Sequence, residues 1–432
     1  MNDLDTAARR AAQAVDAERA VELARRLVRI RSVVDPSTGT TEAEAAAFLI
    51  DELRDMGLDP VIEEVAPGRP NVICDWRGSS FDPERDRTLM FEGHTDVVTE
   101  GDPTRWAIPP FEGLVQGGAL HGRGSADMKA GVACAIAALD AVRRTAPDLA
   151  GRVRLGFVVD EEGMMIGIKS FIAGGWADDV DGAIVCEPEE NELCLFQKGA
   201  MRLHVRVHGV MSHGAMPYAG ANPVRALSRL VLALEALEAE EQARLGEHPH
   251  LGLPWITPTV TRAPADGEAQ LNVMPGEAYL AVDVRTVPGQ DHDVLLHLIE
   301  TCAAAEAARD DRLSIEVERF ESRPWTETPS DDPLVHAMAR AYPWTVGGDA
   351  RYGGVPGATD GTFLRATADV PIVTVGPGDR TIPHQRDEFV RTDELVTAAR
   401  LYAAAAVLYL GATDASPKRP SAASEHDLGR SS

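Results

Sequence analysis

No apolar run in the 432 residues approaches the ~18 needed to cross a bilayer, so no membrane span is expected. Cysteine is scarce. The five present, Cys74, Cys134, Cys186, Cys194 and Cys302, are odd in number and form no C-x-x-C pair. That excludes a disulfide framework and suits a reducing cytoplasm. Positive charge is also short, with 42 Lys and Arg against 68 Asp and Glu, a formal net charge of −26. Such a field repels nucleic acid and anionic membrane, so neither is an expected partner. The segment Met1 to Ala20 has no apolar core and alternates Asp, Arg, Glu and Ala. It reads as a helix rather than a signal peptide.

What is present is ordinary for a globular chain: 44% hydrophobic and 25% charged residues. The length suggests two or three domains. Helical spacing covers Val21 to Ile30, and a second helix should run from about Thr41 to Met56 and stop at Gly57. Strand-like runs follow at 61–65, 71–75 and 88–92, then a small-residue helix at 128–144 and strands at 152–159 and 182–186. Strands alternating with helices predict an α/β domain with a mixed, largely parallel sheet.

The pattern changes after Gly199. Leu203, Val205 and Val207 alternate with Arg202, His204 and Arg206, as in a half-buried strand. A helix near 222–237, strands near 257–262 and 278–285, a helix near 291–308 and a strand near 313–320 complete a βαββαβ order, a ferredoxin-like α+β insertion. The expected domains are therefore a catalytic domain in two parts, 1–197 and 321–414, around an insertion at 198–320. The Ser- and Pro-rich tail, 415–432, is expected to be disordered.

Five acidic or histidine-bearing segments fall where predicted strands end. They are Glu92-Gly93-His94-Thr95-Asp96, Gly122 to Lys129 with Asp127, Asp160-Glu161-Glu162-Gly163, Glu187-Pro188, and Gly376 to Gln385 with His384. Sites on open α/β sheets lie at the carboxyl ends of strands, so distant segments can meet there. Imidazole and carboxylate donors without cysteine suit zinc, cobalt or manganese. Asp96, two residues from His94, is placed to hold the ring's second nitrogen. Of the adjacent Glu161 and Glu162, one can bind metal while the other serves as general base. A single strand-end histidine or an isolated Glu-Glu pair is more often structural; the ordered combination is the signal. His204, His208, His248, His250, His292 and His336 lie outside these segments and read as structural or surface residues. Trp106 reads as loop packing.

The stretches GHTDVV (93–98), GRGSADMKAG (122–131), DEEG (160–163), EP (187–188), GVMSHGAMPYAGANP (209–223), NVMPGEAYLAVDVR (272–285), GATDG (357–361) and the GPG and HQRDEFV segments (376–390) together resemble the co-catalytic metallopeptidases and deacylases. That family includes acetylornithine deacetylase, succinyl-diaminopimelate desuccinylase, aminoacylase and glutamate carboxypeptidase. The resemblance implies a hydrolase that cleaves an amide C–N bond of a small N-acyl amino acid or dipeptide-like substrate. It implies two divalent metal ions, zinc first and cobalt or manganese next. His94 and Glu187 would hold one ion, Glu162 and His384 the other, and Asp127 would bridge them. Glu161 would be the general base and Asp96 the residue orienting His94. The insertion would form a homodimer contact and lid, its His213 reaching the partner's site to polarise the substrate carbonyl. Asn272 and Arg285 would grip a substrate carboxylate, and the loop with Thr359 and Asp360 would line the pocket.

The sequence departs from the pattern at Thr99, Met164-Met165-Ile166 and Gly353 to Pro356; none touches the ligands, and the last two bear on the pocket. They leave a second function open within the same chemistry, release of ammonia from an aromatic amine such as a nitroanthranilate. A third reading, of another class, is a non-catalytic binding or scaffold protein.

Overall fold

The computed structural model describes residues 3–412, and the tail expected to be disordered, 415–432, lies outside them. The chain forms two compact units. Of the described residues, one comprises those up to Leu195, Thr328–Gly353 and those from Thr359 onward; the other comprises Phe196–Glu327 and Gly354–Ala358.

The N-terminal segment read as a single helix is two: α1 (Asp3–Gln13) and α2 (Ala17–Val28). The break arises because the Asp16 side chain accepts the Arg19 amide and so begins a new helix. There follow α3 (Ala43–Asp55), β1 (Val61–Ala66), β2 (Arg69–Arg77), β3 (Thr88–His94), α4 (Ala130–Thr145), β4 (Arg152–Val158), α5 (Ile166–Ala173), β5 (Gly182–Val185) and β6 (Leu193–Gln197). The second unit contributes β7 (Gly199–His208), α6 (Pro223–Leu245), β8 (Trp255–Arg262), β9 (Glu277–Thr286), α7 (His292–Ala307) and β10 (Ser314–Arg323). The chain then adds α8 (Pro333–Tyr342), α9 (Gly361–Ala368), β11 (Ile372–Thr374) and α10 (Thr392–Leu410) to the first unit.

The large sheet has nine strands and includes the run β1-β2-β4-β3-β5-β11-β6. Its centre, β4, β3, β5 and β11, is parallel, and its flanks are antiparallel. Every residue of β3 and β4 is buried, as parallel strands covered on both faces must be. Successive side chains point to opposite faces. Phe91 accordingly meets Tyr402 of α10 at 5.4 Å, while Met90 joins Ile168 and Phe171 of α5 in another cluster. Helix α4 is built almost wholly of buried Ala, Gly, Val and Leu, which lets it lie close to the sheet. At Gly131 the approach is closest: a Cβ there would sit 1.9 Å from the Cys186 carbonyl oxygen.

The second unit has the βαββαβ order. Its four strands pair antiparallel as β8-β9-β7-β10. Met201, Leu203, Val205, Val207, Leu280, Val282 and Val284 pack one face against Leu230 and Leu234 of α6 and Leu295 and Ile299 of α7. Each such side chain contributes ~1.5–3 kcal/mol on burial. Asn222 caps α6 by accepting the Val224 and Arg225 amides, and Asp291 caps α7 in the same way. Among the described residues, no helix is long and apolar enough to cross a membrane.

Candidate metal centre

The parallel strands of the large sheet end on one side, and the chemistry collects there. β3 ends at His94 and β5 leads into Glu187, and the two strands are neighbours in register (Glu92 opposite Val185). β4 leads into Glu161 and Glu162, and β11 into the segment bearing His384. Asp127 comes from the turn Ser125–Lys129 that precedes α4. This turn is entered through Gly124 at φ +79, where a Cβ would meet Val97 at 2.4 Å.

Asp127 directs one carboxylate oxygen to each histidine. Its Oδ1 lies 2.9 Å from His94 Nε2, and its Oδ2 lies 3.4 Å from His384 Nε2. His384 Nε2 also stands 3.0 Å from Glu162 Oε1, and His94 Nε2 stands 3.7 Å from Glu187 Oε1. Donor atoms of His94, Asp127 and Glu162 lie within 4.8 Å of one another, as do those of His94, Glu161 and Glu187.

The orientation of His94 comes chiefly from the backbone. Its Nδ1 is 2.9 Å from the Asp96 carbonyl oxygen and 3.6 Å from that residue's carboxylate. Donation from Nδ1 to a carbonyl leaves Nε2 with a lone pair aimed at the carboxylates. The Asp96 carboxylate is occupied elsewhere, accepting the Glu161 and Glu162 amides at 3.2 and 3.1 Å. It thereby ties the end of β4 to the end of β3.

The charge balance asks for cations. Burial pushes the Glu161 and Glu187 carboxyls well above the usual carboxylate range. Repulsion from Glu162, Asp360 and Asp127 adds to it at Glu161, and from Asp127, Glu161 and Glu92 at Glu187. Burial, then the Asp127 charge, raises Glu162. Hydrogen bonds to Asp127 and Glu162 lift His384 to about 10. Burial works against ionisation of Asp127 too, but His384 and His94 override it and hold its carboxyl below the usual range. Buried carboxylates this close coexist in ionised form when positive charge lies among them. Nitrogen and oxygen donors converging in two overlapping groups therefore fit divalent cations of the zinc, cobalt or manganese type.

The other expected site residues divide between the two units. In the first, Thr359 and Asp360 are buried at the start of α9, and the Asp360 charge acts on Glu161. In the second, His213 is exposed, and its Nδ1 accepts the Ala215 amide at 3.0 Å. Asn272 lies beside it, its carbonyl accepting the Gly214 amide at 2.7 Å. Arg285 is on β9, with its Nε 2.6 Å from Asp283.

Sequence reasoning missed three buried groups. Glu92 has both carboxylate oxygens buried without a hydrogen-bond partner among the described residues, and burial lifts it to about 8. A lone carboxylate amid Leu89-Met90-Phe91, in phase with His94, is the signal that could have revealed it. Arg123 and Glu388 form a buried ion pair at 2.5 Å beside the Asp127 turn. Both residues lie inside the quoted motifs without being singled out.

A model of the peptidase family M20/M25/M40 matches residues 90–407. Succinyl-diaminopimelate desuccinylase of Paracoccus denitrificans (strain Pd 1222) is 30% identical over 397 residues, 88% of this chain and 96% of that one. Among solved structures, aminopeptidase PepT from Bacillus cereus aligns with a TM-score of 0.72 at 17% identity, over 92% of this chain and 99% of its own. The Bacillus subtilis YXEP protein, a dinuclear metal binding peptidase from the M20 family, aligns with a TM-score of 0.67 at 16% identity, over 91% and 98%. At these identities the structural likenesses speak for the fold.

Proposed function

Because the chain belongs to the peptidase family M20/M25/M40, it is a metal-dependent hydrolase of C–N amide bonds, and we propose that it deacylates a small N-acyl amino acid or dipeptide-like molecule with two divalent cations. One observation carries this reading: a single carboxylate, Asp127, offers a different oxygen to each of two histidines, at 2.9 and 3.4 Å. His94 and Glu187 would hold one cation and Glu162 and His384 the other, with Asp127 shared. When bound, the cations supply Lewis-acid polarisation and bring the pKa of water toward neutrality.

The chain's own groups do the rest. Glu161 takes the proton of the attacking water and delivers it to the departing amine nitrogen. Asp96 keeps the His94 ring and the Glu161–Glu162 backbone in place. His213 accepts the Ala215 amide at Nδ1, which leaves Nε2–H to donate to the carbonyl oxygen as negative charge develops. We assign that contribution to a second copy of the chain in a homodimer. Asn272 and Arg285 are assigned to the substrate carboxylate, and Thr359 and Asp360 to the pocket wall. The relative's desuccinylase name favours a dicarboxylic acyl group such as succinyl. The five free cysteines suit a reducing cytoplasm.

The test strips the protein with a chelator, restores zinc, cobalt or manganese, and follows amine release from N-succinyl and N-acetyl amino acids and dipeptides. Activity that tracks two bound cations per chain is expected. Undiminished activity after chelation refutes the proposal, as does ammonia release from aromatic amines with no acyl cleavage.

A further inference from the structure

The ligands are not all fixed by the sheet. His94 ends β3 and Glu187 follows β5, neighbouring strands whose ladder sets their spacing. Asp127 and His384 sit on loops, and no strand ladder joins those loops at the ligands themselves. The two segments pair at their bases, where His121 stands opposite Phe389 in a short antiparallel ladder and the Gly122 amide donates to the Glu388 carbonyl at 2.9 Å; beyond that pairing, the side chains of Glu388 and Arg123 carry the connection toward the ligands. Glu388 is 1% exposed and follows His384 by four residues. Its Oε1 accepts the Ala126 and Asp127 amides at 2.9 and 3.2 Å. Its Oε2 accepts the Gly124 amide at 3.0 Å and Arg123 Nη1 at 2.5 Å. Arg123, 3% exposed, then donates from Nη2 to the His384 carbonyl at 3.4 Å and to the Thr99 carbonyl at 3.3 Å. All four contacts to the Glu388 carboxylate thus come from residues 123–127, and Arg123 returns the connection to His384. The pair is a closed brace between the shared carboxylate and the second histidine.

We infer that the buried Arg123–Glu388 pair is a positioning device that sets the Asp127–His384 spacing, so that the cation position built from Glu162, His384 and Asp127 depends on it more than the position built from His94, Glu187 and Asp127. This rests on the two-cation reading above. Neither residue touches the reacting atoms. Buried carboxylates that accept several backbone amides fix loop geometry firmly, because each amide left unmet in the interior is costly. Glu388→Gln keeps the side-chain size but replaces one acceptor oxygen by a donor. Two of the four donors then face an NH₂ group, and Arg123 loses its counter-charge.

The experiment is a cation titration of chelator-stripped protein with zinc against a chromophoric competitor, in wild type, E388Q, H384A and the E388Q/H384A double variant. Wild type should bind two zinc ions per chain; fewer than two overturns the two-cation reading before any variant is considered. H384A should keep one. E388Q should keep one site within threefold of wild type and weaken the other at least tenfold. In the H384A background, E388Q should change the remaining site by less than threefold. Equal weakening of both sites by E388Q, or equal weakening in the two backgrounds, overturns the proposal in favour of a general packing role. Unchanged titration of E388Q also overturns it. Should E388Q fail to fold, R123K answers the same comparison, since it retains the charge and removes the fork that reaches His384.

Discussion

Replacing Glu161 by glutamine tests the chemistry while disturbing the site least. The side chain keeps its size, and its backbone amide keeps the Asp96 acceptor at 3.2 Å. What disappears is the capacity to accept a proton. Burial and the neighbouring Glu162 and Asp360 carboxylates favour uptake of that proton, and His94 opposes it. General acid–base catalysis typically contributes about 10²–10⁴-fold. Glu161 is assigned two transfers, from water and to the amine, so the expected loss in kcat lies near the upper end, about 10³–10⁴-fold. At about 1.36 kcal/mol per decade that is about 4–5 kcal/mol of barrier. KM should change only a few-fold, since the residue makes no expected contact with the substrate carboxylate. The assay pairs steady-state amine release with metal content by elemental analysis. Turnover above a tenth of wild type contradicts the assignment as base. Loss of a cation contradicts it differently: the Glu161 donor lies within 4.8 Å of those of His94 and Glu187, and that result would move it into the ligand set.

Asp127→Asn offers a single carbonyl acceptor where the carboxylate had two oxygens, so metal content should fall from two ions per chain to one or none; unchanged occupancy rules out the shared-ligand role. Gly131→Ala brings a Cβ to 1.9 Å from the Cys186 carbonyl and must push α4 away from β5. Overpacking of that kind costs about 1–3 kcal/mol. It should appear as a lowered melting temperature together with lowered activity, because Glu187 adjoins the displaced residue; an unchanged melting curve contradicts the close packing. His292 is held between Thr286 Oγ1 at 2.7 Å and Ser322 Oγ at 2.8 Å, and burial, then Arg319, lowers its pKa from 6.5. The unfolded chain therefore takes the proton first as pH falls. The stability this group contributes is complete above about pH 6.5 and is lost below it, with a slope of at most about 1.4 kcal/mol per pH unit. His292→Gln should flatten the acid side of the melting-temperature profile, and parallel profiles would contradict the linkage.

Periodicity made the architecture readable where one face of an element is apolar. The alternation Leu203, Val205, Val207 announced β7, and the β7 to β10 unit has the βαββαβ order that was read. It failed where pattern and propensity part company. Helix α6 was expected near 222–237, yet it continues to Leu245. Glu, Ala, Gln and Arg are good helix formers whatever their apolar spacing, and Gly246 ends the helix instead. Helix α5 was not foreseen at all. It has eight residues, no side-chain cap, and an entry through Met165 at φ +53. Its Ile166, Ile168, Phe171 and Ile172 do not separate a helical period from a short buried strand.

The site divides along the same physical line. A residue that must present a particular atom to a cation, or accept a proton, is restricted to a few side-chain types. Where several such residues follow strand ends in order, the sequence exposes them. A residue that holds a backbone amide or carbonyl is not announced in this way, because every sequence supplies the same backbone. The Asp96 carbonyl against His94, Glu388 on the amides of residues 124, 126 and 127, and Arg123 on the His384 carbonyl are all of this second kind. Arg380 extends it. Its Nη2 lies 2.6 Å from Glu192 and its Nε 3.2 Å from Glu189, tying the segment before His384 to the segment after Glu187. The sheet sets the places of His94 and Glu187, and these crosslinks set those of Asp127 and His384. Substitutions at positions with no ligand or acid–base identity should therefore shift metal affinity, and the shift should fall on the loop-borne ligands before the strand-borne ones.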